Sequence, residues 1–337
     1  MRPAPIYRDL FCQMYGVAAP AVVLGEMIHW WAIVREAGLG DQKLHRQTAY
    51  VPAGYFYATH VDAPDARTVR EARERAADLA TDWVLYPVVK AADDTGALRA
   101  AGFTPIPWFV GADYRVRDGV DEDLRGQLGK NRHGDLRRAA RRAAERYDLE
   151  LVSFPDITEE HLLLFDRLHR LNLRKYGHQH NHLSLPALRA MLRTPLGAGL
   201  HLYLRRPLEG GPPVQAGLNL VEDGGRTMSF VAQGIDHAVV PSSQNLYKAW
   251  FYEMFRRGAD MGVDTFVLGR GAELNKLDMG ANTFYLLENH LGPVGDRETG
   301  EVERLRQRLR AGFEEIGARL AANMAQRRAA NAFELRW

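Results

Sequence analysis

The chain has one cysteine, Cys12, among 337 residues. A single thiol closes no intrachain disulfide and builds no cysteine-rich zinc site. Nothing therefore asks for an oxidising compartment, and the cytoplasm is the expected location. Long apolar runs are missing as well: residues 17–25 are interrupted by Pro20 and followed by Glu26, well short of the ~20 residues that cross a bilayer. Residues 1–5 hold two prolines and an arginine instead of the apolar stretch of a secretory signal, so no membrane attachment is expected. Excess charge of one sign is absent too. With 44 basic against 42 acidic residues, the formal charge is +2, and a polyanion-binding surface has to come from local clustering. No serine sits in a Gly-x-Ser-x-Gly elbow; Ser153, Ser184 and Ser229 all lack it, which disfavours a serine nucleophile.

What remains is a globular composition, 46% hydrophobic and 26% charged, at a length suited to two packed domains. Apolar spacing predicts helices over residues 19–37 and 68–79, with strands over 50–57 and 83–89. A short helix over 97–103 leads into a strand over 105–110. A long helix over 121–147, a strand over 149–154 and a helix over 158–176 follow. Strands over 201–205, 214–222 and 227–233 are separated by Gly-Gly-Pro-Pro and Asp-Gly-Gly, so they read as an antiparallel meander. A helix over 243–261, a strand over 265–268 and a helix from 301 to about 330 with one apolar stripe close the pattern.

Four segments occur in an order that resembles one superfamily: 215–221 (QAGLNLV), 231–236 (VAQGID), 240–246 (VPSSQNL) and 268–276 (LGRGAELNK). Together with LRAAGFTP at 98–105 and KNRHGDLRRA at 130–139, they make residues 97–280 similar to GNAT-fold acyltransferases of the Fem-like branch. The resemblance implies an α/β (α+β) chain of tandem GNAT-like domains, with mixed, largely antiparallel sheets flanked by helices and a long C-terminal helix. The expected division is 1–145, a GNAT-like domain with a basic linking helix; 146–300, the acyltransferase domain; and 301–337, an amphipathic helix. The site is expected between the first two. The implied activity is direct aminolysis: an acyl or aminoacyl group passes from aminoacyl-tRNA or acyl-CoA to the amine of a small metabolite. No metal and no permanently bound cofactor are implied. Plain acetyl-CoA-dependent acetylation is the alternative, and a non-catalytic RNA- or ligand-binding scaffold is a second one.

Aminolysis needs a neutral amine, a fixed carbonyl and stabilisation of the oxyanion. Lys276 follows a strand end and a glycine-flanked turn, and it matches the lysine that Fem-like enzymes carry there, so it is the candidate for charge stabilisation. It is expected to be an exposed residue of the site. Glu273 is placed to pair with it or to bind the amine. Asp236 and His237 end the strand before the donor loop and are candidate bases. Ser242, Ser243, Gln244 and Asn245 stand where a glycine-rich loop would hold a pyrophosphate. Only the two serines are small, but a helix start there can still receive an anion. Arg137, Arg138 and Arg141 belong to a positive stripe between Lys130 and Arg146 that could follow an RNA backbone or neutralise a coenzyme phosphate, making tRNA a candidate partner. His178 and His180 alternate in Gly-His-Gln-His-Asn-His and could line an acceptor pocket; Tyr247 and Tyr285 are candidates for the same pocket and for protonating the leaving group. The stripe on the last helix fits a monomer or a homodimer.

Overall fold

A computed structural model describes residues 23–24, 48–51, 63–175, 183–295, 299–327 and 333–337. Strands β1 (Val23–Leu24) and β2 (Thr48–Tyr50) precede helix α1 (Ala66–Asp78), strand β3 (Trp83–Lys90), the short α2 (Gly96–Ala100) and β4 (Thr104–Arg115). Then come α3 (Val120–Ala144), β5 (Tyr147–Ser153), α4 (Glu159–Lys175) and α5 (Leu185–Leu192). The meander is β6 (Leu200–Pro207), β7 (Gln215–Glu222) and β8 (Thr227–Ile235). Helix α6 (Leu246–Asp260), β9 (Thr265–Arg270), α7 (Glu273–Met279), β10 (Thr283–Pro293), α8 (Gly300–Ala325) and β11 (Glu334–Arg336) complete the chain.

Local chemistry explains most of these boundaries. The Asp65 carboxylate accepts from the Thr68 amide at 2.7 Å and starts α1, which buries Val69, Ala72 and Ala76 on one face. The long basic helix is not continuous as expected. Gly129 takes φ 74 and ψ 166, breaking α3 into two, a conformation open to glycine because it has no Cβ. The helix expected over 19–37 is corrected at Val23 and Leu24, which pair antiparallel with Tyr50 and Ala49; the rest of it, and the strand expected beyond Val51, lie outside the described residues. Strand β10 was not expected at all.

The strands form one mixed, mostly antiparallel sheet in the order β1-β2-β3-β10-β4-β9-β8-β7-β6-β5, with β11 parallel to β10. β10 lies between β3 and β4, and β4 pairs with β9, so strands from both ends of the sequence interleave. On one face α3, α6 and α8 pack with Tyr114, Phe255, Phe266 and Leu320. On the other face of the meander, α4 and α5 pack Phe165, Leu168 and Leu188 against Leu202, Leu218 and Val231.

Gly234 permits the second contact. A Cβ there would come within 2.4 Å of the Leu168 carbonyl group and the His169 amide nitrogen, so α4 can rest on β8 only over a bare backbone. Gly234→Ala should cost about 1–3 kcal/mol or more and push α4 off the sheet. Chemical denaturation checks the cost, and loss of ligand binding in the cleft described next checks the displacement.

Candidate active site

β8 and β9 run parallel but share only three residue pairs, Thr227 with Thr265, Met228 with Phe266 and Ser229 with Val267. Beyond them the strands part. β8 stays with β7, where a register shift skips Val231, and β9 ends beside Gly111 of β4. A strand whose hydrogen-bonding edge loses its neighbour leaves a notch in the sheet. A cleft of about 620 Å³ opens at this fork, within the range of small-molecule sites. Its walls are α4 (His169, Asn172, Lys175), the end of β8 (Gln233, Ile235), the start of α6 (Asn245, Tyr247) and the turn into α7 (Arg270, Asn275, Lys276). All its lining lies between residues 169 and 276, within the stretch expected to form the acyltransferase domain, whereas the site was expected between that domain and the N-terminal one. The reason is topological: the fork belongs to β8 and β9 alone.

Lys276 is positioned by a tightly curled turn. Gly269, Gly271 and Ala272 all have positive φ, which turns the chain into α7 immediately after β9, and the Lys276 amide bonds back to the Ala272 carbonyl at 3.0 Å. The side chain is buried, not exposed as expected, at 3% of its accessible surface. Among the described residues its Nζ has no hydrogen-bond partner. Burial brings its pKa down from 10.5 to about 7; Glu273 opposes that shift and Arg270 adds to it. Near neutral pH this amine is present in both protonation states.

The other expected residues divide. His237 lines the cleft, with Nε2 3.1 Å from the Lys175 Nζ; burial and then Lys175 lower its pKa. Ser242, Asn245 and Tyr247 also line the cleft. The N-cap residue Asn245 makes no side-chain capping bond to the first turn of α6, which among the described residues leaves its first amides for an anion. Asp236 is not in the cleft wall, and its carboxylate accepts from the Ala238 amide at 3.1 Å, a turn-forming use of the side chain. Ser243 and Gln244 do not line the cleft, and Gln244 accepts from the Tyr147 hydroxyl. Glu273 lines a smaller neighbouring hollow with Leu274, Ile316 and Arg319.

Arg137, Arg138 and Arg141 are exposed on α3 and do not reach the cleft. Leu136, Ala139 and Ala143 take the inward positions, which turns the arginines outward. Tyr285 is buried in β10, where its hydroxyl donates to Asp113 Oδ1 at 2.9 Å, and burial raises its pKa well above the usual value. It cannot serve the cleft. His178 and His180 lie outside the described residues.

Sequence reasoning missed His169, Gln215 and Gln233. His169 is buried on α4, stacked on Phe165 with Nδ1 3.3 Å from the Gln233 carbonyl. Its spacing four residues after Phe165 on an apolar helix face was the available signal.

Residues 130–277 match the family of acetyltransferase (GNAT) domains. The matched stretch is similar to a GNAT domain. The fork, the first turn of α6 and Lys276 all fall within it. No curated protein sequence matches the chain. Among solved structures, the L-PGS of Bacillus licheniformis is similar at 13% identity and TM-score 0.55, covering 78% of this chain and 82% of that one. A C-terminal domain from Agrobacterium fabrum, described as belonging to a lysylphosphatidylglycerol synthetase, is similar at 12% identity and TM-score 0.54, covering 73% and 78%. FemX follows at 12% and 0.49, covering 72% and 80%. The first two likenesses extend the shared fold beyond residues 130–277 to most of the chain. Among the described residues, no helix is long and apolar enough to cross a membrane.

Proposed function

We propose that the cleft transfers an acyl or aminoacyl group from a thioester or ester donor to the amine of a small metabolite, with Lys276 as the proton carrier. The observation that carries this reading is the buried, unpartnered Lys276 amine in the wall of the fork. The acceptor nitrogen attacks the donor carbonyl and the neutral lysine takes its proton. The ammonium so formed sits beside the new oxyanion and stabilises it. When the carbon–sulfur or carbon–oxygen bond breaks, the same proton passes to the departing thiolate or alkoxide, and Lys276 is neutral again. This replaces the fixed positive charge expected of Lys276 with a group that cycles between two states.

The donor carries phosphate in either form, as coenzyme A or as tRNA. The open first turn of α6, with Ser242 and Asn245 beside it, is the place for that charge. The arginines of α3 are exposed and outside the cleft lining; in a second donor reading, aminoacyl-tRNA, they contact the RNA backbone. Mass spectrometry of a small-amine mixture incubated with acetyl-CoA, and separately with charged tRNA, tests the reading. A new amide that Lys276→Met abolishes supports it; an amide formed equally by the variant, or none from either donor, refutes it.

A further inference from the structure

Gln215 and Gln233 sit side by side across β7 and β8, and their amides are held in one orientation. Gln215 is fully buried, and its Nε2 donates both to Gln233 Oε1 at 3.2 Å and to the Leu246 carbonyl at 3.3 Å. A carbonyl oxygen only accepts, so Leu246 decides which end of the Gln215 amide faces α6. That choice presents an N–H to Gln233, which must answer with its oxygen. The Gln233 Nε2 is therefore turned away from Gln215. It has no partner among the described residues, it is not sealed off from solvent, and its side chain lines the cleft.

We infer that Gln233 donates from Nε2 to a carbonyl oxygen of the ligand in the cleft, and that Gln215 is a positioning residue whose task is to keep the Gln233 amide from flipping. The ligand class is an ester, thioester or amide, whose carbonyl oxygen accepts where a flipped Gln233 would set oxygen against oxygen. The arrangement has a cost that marks it as functional. Gln215 Oε1 is left buried with no partner among the described residues, which is unfavourable for folding, so Gln215 is a poor choice for packing alone. The inference rests on the donor reading above for the ligand's identity, and on the amide geometry for the orientation.

The test uses the full chain, acetyl-CoA titration calorimetry and the variants Q233M, Q215M and the double. Both single variants should weaken acetyl-CoA binding by about three- to tenfold, the worth of one hydrogen bond. Q215M should do so while unfolding no more easily than the wild type. The double should bind no worse than Q233M, because the lock has nothing left to hold. Binding by Q233M at the wild-type level, or losses that simply add, overturns the inference. A second arm does not depend on the donor: side-chain amide hydrogen exchange by NMR. Slow exchange at the Gln215 amide with fast exchange at the Gln233 amide, and a change at Gln233 in Q215M, supports the orientation. Equal protection of the two overturns it. A wild type that binds no acetyl-CoA removes that donor, and the exchange result then decides the inference alone.

Discussion

Lys276→Met should produce a protein that is harder to unfold and far slower to transfer. Lys276 has a pKa of about 7 in the folded chain and 10.5 as its ordinary value. Between those two pH values the unfolded chain holds a proton that the folded one has released, so this group makes stability rise with pH across the window. Below about pH 7 both states are protonated and the penalty for a buried ammonium is complete, on the order of 4–5 kcal/mol. Above the ordinary pKa both are neutral and the penalty is gone. Methionine fills similar space with no charge to bury, so it should recover several kcal/mol in mildly acidic buffer, with the gain shrinking as the pH is raised. Urea denaturation of both proteins across that window measures it. Transfer should fall about 10²–10⁴-fold, the scale of a lost acid–base group. A lysine kept at a cost to the fold is the pattern of a residue retained for its chemistry.

Arg205→Met should have the opposite effect on the fold. Arg205 is 1% exposed on β6; its guanidinium pairs with Glu253 of α6 and lies 3.2 Å from the Tyr203 hydroxyl. Burial already raises the Glu253 pKa, and Arg205 is the largest influence holding it down. Without the arginine a partly buried carboxylate loses its hydrogen-bonded partner and keeps only the weaker influence of Arg257, at a cost of up to about 3–5 kcal/mol. The Glu253 pKa then moves further up, so the penalty is full where the carboxylate is ionised in both states. It is relieved as the pH falls through the raised value toward the ordinary one. The double variant R205M/E253L should recover most of the loss, since replacing both members of a buried pair by apolar groups is often close to neutral. Denaturation of the wild type and the two variants at neutral and acid pH checks both statements. A single variant as stable as the wild type would show the pair to be idle.

The meander from Leu200 to Ile235 was readable because its turns are spelled out by glycine and proline between apolar runs. β10 was not, although it is central. Its sequence TFYLLENHLGP is covered on both faces, so it lacks alternation, and it buries Asn289 and His290 in full, residues that read as loop in isolation. Position told the same mixed story at the site. Lys276 was marked by the glycine turn before it, but its burial depends on packing around α7 that its own neighbours in sequence do not announce. Asp236 looked equally good as a strand-end carboxylate and is spent on its own turn. Gln215 and Gln233 are 18 residues apart, and only the register that sets Gly217 against Gln233 and Gln215 against Ile235 brings their amides together.

The pH dependence of transfer to methoxyamine, an acceptor already neutral through the range, tests the central claim most directly. With whichever donor is accepted, the wild-type rate should rise about tenfold per pH unit on the acid side and level off near pH 7, following the release of the Lys276 proton. Lys276→Met should give a slow, flat profile. A wild-type rate that stays level across neutrality, or falls as the lysine loses its proton, would contradict a proton-accepting Lys276.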